Sequence, residues 1–347
     1  MRALVVTAPG RYGLTELPVP EPGVGEVLVA PTCVGICGSD VELLSGLRPD
    51  EYVRYPVVPG HEWVGVIDRV GPGVRGLSPG TPVVAEGVRS CGVCRRCAEG
   101  RVNLCSGTYA ETGFTHPGAL AERLVVPAGL VHPLPTGRFV DTAALIEPAA
   151  CVATGLLEVG MPAAGTRIAV VGDGPLGLLA VALLVLSRPS RLALIGSRKQ
   201  RASYGMELGA TETWVREDCF EGEFDLVVEA TNSPEGAASA VRIARRAGTV
   251  LLLGISGAGR ATIDPDIITL RHLRVQGVFA ASRPAWQWLV SLYSEGLFDP
   301  AALITHRFAL DDFEQALAVL ADRDAGAIKV VIAPGIRGAG TGSPLLR

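Results

Sequence analysis

Apolar residues along the chain fall into two regimes. Up to about residue 150 they come in short runs, Glu26-Val-Leu-Val-Ala30, Val64-Gly-Val-Ile67 and Thr81-Pro-Val-Val84, separated by Pro-Gly turns. Brief runs of β-formers punctuated in this way predict a folded-over β domain with few helices. Near residue 153 the pattern changes. Ile168-Ala-Val-Val171, Leu192-Ala-Leu-Ile195, Leu226-Val-Val228 and Val250-Leu-Leu-Leu253 are fully apolar, with helical patterns between them. Strands that are apolar on both faces and alternate with helices predict a parallel sheet covered on both sides. From about residue 300 the character is mixed again, and this segment is expected to fold back on the first domain. The expectation is therefore an α/β chain with one domain from 1–152 and 300–347 and another from 153–299. The tail Gly335–Ser343 reads as a flexible segment.

Composition narrows the function. The chain has 347 residues, 48% of them hydrophobic, enough for two cores. Leu176–Leu186, read as the longest apolar stretch, is too short to span a bilayer. Met1-Arg-Ala-Leu-Val-Val6 runs straight into a strand-like segment, without the pattern of a signal peptide. A soluble, cytoplasmic protein without a membrane partner is expected. The net charge is −4 and no basic stripe is visible, which argues against a nucleic-acid partner.

Residues 172–177 read Gly-Asp-Gly-Pro-Leu-Gly. The motif follows an apolar strand and opens an apolar helix at Pro175 and Leu176, the context in which G-x-G-x-x-G binds a dinucleotide. Gly172 permits the turn, Gly174 lets the pyrophosphate approach the backbone, and Gly177 lets helix and strand pack closely. An NAD site usually carries an acid at the end of the next strand, to hold the ribose 2′-hydroxyl. Here that strand runs into Gly196, Ser197, Arg198, Lys199, Gln200 and Arg201, with no Asp or Glu between Asp173 and Glu207. Ser197, Arg198, Lys199 and Arg201 suit a 2′-phosphate, so NADP(H) is predicted over NAD(H).

Four of the eight cysteines, Cys91, Cys94, Cys97 and Cys105, are spaced C-x2-C-x2-C-x7-C. In a cytosolic chain this spacing indicates metal rather than disulfides. Four thiolates saturate a tetrahedral zinc ion and leave no open position, so the cluster is read as a structural clamp. A catalytic zinc needs three ligands and a vacancy. The candidates are dispersed: Cys37 in GICGSD (35–40), His61 in PGHE (59–62) and Glu147 in LIEPA (145–149).

Taken in order, GICGSD, PGHE, the four-cysteine lobe, LIEPA and VVGDGPLG (170–177) resemble the zinc-dependent medium-chain alcohol dehydrogenases. The glutamate in LIEP is similar to the sorbitol, threonine and glucose dehydrogenase branch. YPVVPGHEW (55–63) and GFTHPGALAE (113–122) are most similar to bacterial cyclitol and aminocyclitol dehydrogenases of antibiotic pathways, of the 2-deoxy-scyllo-inosamine type.

The resemblance implies a GroES-like β-rich catalytic domain, a Rossmann nucleotide domain and two zinc ions per chain. It implies that Cys37, His61 and Glu147 surround the catalytic zinc, with Glu147 bound either directly or through water. Cys151 could compete as a ligand, but the motif alignment favours Glu147. Glu62 would be the neighbouring acid able to approach the metal, and Asp40 would orient the His61 ring. The implied reaction is Lewis-acid activation of an alcohol followed by hydride transfer to nicotinamide, in either direction. Ser39 matches the hydroxyl of the proton relay. Where the family often has histidine, this chain has Glu42, on the same helical face as Ser39. Glu42 is either the outer base of that relay or a solvated carboxylate.

The leading expectation is an NADP(H)-dependent zinc dehydrogenase for a polar secondary alcohol, assembled as a homodimer or homotetramer. A zinc-free enone or quinone reductase would lack the ligand set found here. A non-catalytic zinc-binding interaction protein would need neither the dinucleotide motif nor the second ligand group.

Overall fold

A computed structural model describes residues 1–136, 141–215, 220–256 and 259–337. The chain divides into two compact units, Met1–Glu147 with Ser282 onward, and Pro148–Ala281.

The first unit is built on a seven-stranded sheet. Its strands run in the order Ile304–Ala309, Lys329–Ala333, Glu26–Gly35, Glu62–Val70, Pro82–Ala85 and Val131–Pro133, with Leu124–Pro127 also paired to Glu26–Gly35. The central pair sets register Gly35 against Glu62 and Val34 against Trp63. That register brings the segment after Gly35 beside the segment before Glu62, which is how Cys37 and His61 come together. Val27, Val29, Val34, Ile67, Leu120, Leu124 and Ile332 form part of the core of this unit.

The second unit is a six-stranded, all-parallel sheet. Its order is Glu212–Trp214, Arg191–Ile195, Arg167–Val171, Phe224–Glu229, Ala244–Leu252 and Arg274–Gly277. Numbered within the unit this is 3-2-1-4-5-6, the doubly wound order that opens a ligand crevice beside its first strand. The buried strand Arg167–Val171 and the apolar helix Pro175–Leu184 flank the glycine motif.

One expectation requires correction. The helix Arg283–Glu295 belongs to the first unit, not to the nucleotide domain as the 153–299 boundary would have it. Its anchors lie in the first unit: Arg283 pairs with Glu86 at 2.8 Å, Trp286 stacks on His132, and Tyr293 lies 3.0 Å from the Thr142 hydroxyl. Besides the uninterrupted apolar run Leu176–Leu186, a longer helix is apolar on average. Asp141–Val159 is helical, and long and apolar enough to cross a membrane by length and composition. Of its apolar window 78% is buried inside the protein, so it reads as a core helix. Residues 338–343 of the predicted flexible tail lie outside the described residues.

Candidate active site and nucleotide loop

Cys37 caps the helix Gly38–Ser45. Asp40, three residues on, accepts the Cys37 backbone N–H through Oδ2 at 2.9 Å. This local capping arrangement fixes Asp40 by sequence spacing alone. The second carboxylate oxygen, Oδ1, lies 3.4 Å from His61 Nδ1. Both atoms are fully buried and have no other hydrogen-bond partner among the described residues. On the other side of the ring, Nε2 is 3.5 Å from the Ser39 hydroxyl. Burial opposes charge on His61, but the Asp40 carboxylate outweighs it and holds the imidazole well above its ordinary value. Burial likewise acts to raise Asp40, and His61 together with the Cys37 amide brings it below the usual carboxylate range.

The ligand atoms of Cys37, His61 and Glu62 all lie within 4.8 Å of one another. One thiol, one imidazole and one carboxylate at this separation, with a carboxylate behind the imidazole, fit a zinc ion. Glu147, expected as third ligand, is not in this close group, whereas Glu62 is. Glu147 is half-buried, and desolvation pushes its carboxyl up to about 8, with His61 pulling the other way. Cys151 is half-buried on the helix Ile146–Val159 and belongs to neither ligand group. Glu42 is half-buried, one turn along the helix from Ser39.

Sequence reasoning missed five residues in and around this centre. Lys329, on the strand Lys329–Ala333, is buried and donates to Glu62 Oε2 at 2.5 Å and to the Ile36 carbonyl at 3.3 Å. Its signal was available: one of only two lysines, set in an apolar strand. Burial acts to lower its ammonium, yet Glu62 keeps it above its ordinary value. Phe114 packs against His61, ring centroids 4.7 Å apart, and the Arg48 guanidinium carbon lies 3.5 Å from the Phe114 ring centroid. Arg48 also binds the Tyr109 hydroxyl at 3.1 Å and Glu111 at 3.3 Å. Glu111 is buried, which raises its carboxyl.

Cys91, Cys94, Cys97 and Cys105 form the second group, their sulfurs all within 4.8 Å. Cys105 Sγ accepts backbone N–H groups from Cys91 at 3.3 Å and Gly107 at 3.4 Å. Hydrogen bonds from Ser106 draw Cys94 down to about 5, whereas desolvation raises Cys97 to about 11. Amide donors aimed at sulfur favour thiolates, and four convergent thiolates fit a closed tetrahedral zinc site.

In the second unit Gly172 has φ +118°, open to glycine and strained for other residues. A Cβ on Gly177 would sit 1.8 Å from the Gly172 carbonyl oxygen, so only glycine lets helix and loop close here. Around Gly174 a Cβ would meet nothing within 4 Å, leaving its backbone open to a ligand. Pro175 occupies the first turn of the helix Pro175–Leu184, with Leu176 half-buried beside it. A pyrophosphate fits the helix N-terminus behind these glycines. Ser197 and Lys199 are exposed and Arg198 is half-buried at the start of the helix Lys199–Glu207. Arg201 is buried instead, and its guanidinium donates to the Asp173 carbonyl at 3.0 Å.

Comparison with known proteins agrees with this construction. Residues 23–136 match the alcohol dehydrogenase GroES-like domain, and residues 140–333 the glucose dehydrogenase C-terminus. The chain belongs to the zinc-dependent medium-chain alcohol dehydrogenases. Within that family it is 31% identical over 336 residues to an L-threonine 3-dehydrogenase of Anaeromyxobacter dehalogenans, covering 92% of this chain and 94% of that one. A zinc-binding dehydrogenase from Sinorhizobium meliloti, solved bound to NADP, superposes with TM-score 0.88 at 30% identity, covering 96% and 99% of the two chains. Galactitol-1-phosphate dehydrogenase from Escherichia coli superposes with TM-score 0.86 at 26% identity, covering 96% and 100%. This medium-chain dehydrogenase is thus an oxidoreductase of the alcohol and polyol type, with a GroES-like sheet unit and a Rossmann unit.

Proposed function

We propose that this dehydrogenase interconverts a polar secondary alcohol and its ketone with NADP(H), using a zinc ion at the Cys37–His61 centre and a second, structural zinc in the four-cysteine lobe. The observation that carries the reading is the convergence of Cys37, His61 and Glu62 with Asp40 behind the imidazole. When bound, zinc supplies Lewis acidity toward the substrate oxygen and the nicotinamide supplies the hydride acceptor or donor.

The chain's own residues do the rest. Cys37 and His61 hold the ion, and Glu62 or Glu147 completes the set. Asp40 keeps the proton on His61 Nδ1, which leaves Nε2 as the ligating nitrogen. The Ser39 hydroxyl, 3.5 Å from Nε2, is placed to take the proton the alcohol must lose. Glu42 on the same helix face is the candidate to pass it outward. Gly172, Gly174, Pro175, Leu176 and Gly177 receive the pyrophosphate, and Ser197, Arg198 and Lys199 receive the 2′-phosphate.

A polar substrate is supported by the Arg48–Tyr109–Glu111 group that backs Phe114, and by relatives named for threonine and galactitol phosphate. We expect a cytoplasmic homodimer or homotetramer.

The test is the appearance of reduced nicotinamide with NADP⁺ and NAD⁺ in parallel, against polyols, aldoses, cyclitols, aminocyclitols and simple alcohols, with ketones and NADPH for the reverse direction. Turnover confined to simple alcohols would overturn the substrate class. Turnover with NAD⁺ alone would overturn the cofactor. Arg198→Asp replaces a charge-assisted phosphate contact by repulsion, and should weaken NADP⁺ roughly 10- to 100-fold more than NAD⁺. Equal losses would count against the 2′-phosphate assignment.

A further inference from the structure

The turn after the strand Arg191–Ile195 carries no acid in sequence, yet the structure places a carboxylate there. It comes from the glycine loop. Asp173 Oδ2 accepts the backbone N–H of Ser197 at 3.0 Å and that of Arg198 at 2.8 Å. Gly196 makes room for it: a Cβ at that position would lie 2.4 Å from Oδ2 and 2.6 Å from the Asp173 Cβ. Asp173 is buried, and its own carbonyl is held by Arg201 Nη1 at 3.0 Å. The glycine loop and the 196–198 turn are therefore latched in both directions. The side chain of one reaches the amides of the other, and a guanidinium from the following helix reaches back.

We infer that Asp173 is the positioning residue for cofactor selectivity: its carboxylate fixes the 196–198 turn so that the Ser197 hydroxyl and the Arg198 guanidinium meet a 2′-phosphate. This rests on the NADP(H) reading and deepens it. A carboxylate near a phosphate would ordinarily oppose it. Here one oxygen accepts two amide hydrogens, bonds that are strong because the acceptor is charged and that hold the turn's backbone in one conformation. An aspartate in the glycine motif and a glycine at the strand end are two halves of one device. A competing role is direct: Asp173 could itself take the ribose 2′-hydroxyl, which would favour NAD(H).

Binding of 2′,5′-ADP and of 5′-AMP to the zinc-containing protein separates these roles by calorimetry, alongside amide hydrogen exchange at Ser197 and Arg198 without ligand. Asp173→Asn retains an oxygen acceptor for both amides and removes the charge. Asp173→Ala removes the acceptor. Asp173→Ala should weaken 2′,5′-ADP about tenfold, the scale of one lost hydrogen bond, while 5′-AMP changes little. Exchange at the two amides should accelerate. Asp173→Asn should restore slow exchange and the preference for 2′,5′-ADP. Two results would overturn the inference: equal weakening of both ligands by Asp173→Ala, or a gain in 2′,5′-ADP affinity from both variants, as expected of a ribose acid. Wild-type protein that binds the two ligands equally would sink the NADP(H) reading and the selectivity role with it. The exchange rates would still decide whether the latch exists.

Discussion

Asp40 uses one oxygen to hold the Cys37 amide and turns the other toward His61. A single side chain thereby couples a helix cap to the orientation of the ring proposed to hold zinc. Cys37→Ser leaves that cap in place, because the contact is through the backbone N–H. It should abolish turnover and lower zinc at the catalytic site while the far-UV circular dichroism stays close to wild type. A folded variant with normal turnover would remove Cys37 from the centre. Lys329 makes a different prediction. Lys329→Met would leave the Glu62 carboxylate buried without its counter-ion, a loss of about 3–5 kcal/mol for a broken buried pair. Zinc supplies positive charge to the same carboxylate, so added zinc should raise the melting temperature of the variant more than that of wild type. Equal zinc responses would show that Lys329 and the metal do not share Glu62.

At the scale of elements, the four-cysteine lobe behaves as a closed local unit. Its ligands lie within fifteen residues, Cys91 to Cys105, and its amides point at sulfur. Cys94→Ser should release the zinc proposed for the lobe, lower the thermal midpoint and make the lobe sensitive to proteolysis. A stable but inactive Cys94→Ser enzyme would move the lobe from clamp to catalyst. The glycine loop is local in the same way. Gly172 and Gly177 are five residues apart, and their constraints arise from one turn between a strand and its helix. Spacing alone therefore indicated both elements. The helix Arg283–Glu295 was misplaced because its amphipathic pattern says that a face is buried but not which sheet buries it.

For the molecule as a whole, removal of zinc exposes an electrostatic imbalance. The centre gathers Glu62, Glu147 and Glu111 around His61 and Lys329. Without metal, burial holds the Glu147 carboxyl at about 8 against an ordinary 4.5. Between those values the folded protein keeps a proton that the unfolded chain has released. Its stability therefore falls as pH rises from 4.5 through about 8, by linkage. His61, held above its ordinary value, acts in the same direction. The zinc-free protein should melt at progressively lower temperature across that range. Glu147→Gln should flatten the dependence, and zinc should flatten it in wild type. A zinc-free profile unchanged by Glu147→Gln would place that proton elsewhere.

The sequence by itself determined the features whose parts are close along the chain: the alternation of strands and helices, the dinucleotide loop and the cysteine lobe. Each depends on backbone sterics or ligand spacing over a few residues, which local order specifies. It also marked Cys37 and His61 as candidate ligands, through a family resemblance carried by motifs weak singly and specific together. Only the tertiary structure decided that Glu62 lies within 4.8 Å of the Cys37 and His61 ligand atoms, that Lys329 lies behind Glu62 from 267 residues away, and that Asp173 fills the space Gly196 leaves. These are matters of strand register and of packing between distant segments. A one-residue slip in register turns every side chain to the opposite face, and no short stretch of sequence records which register the sheet adopts.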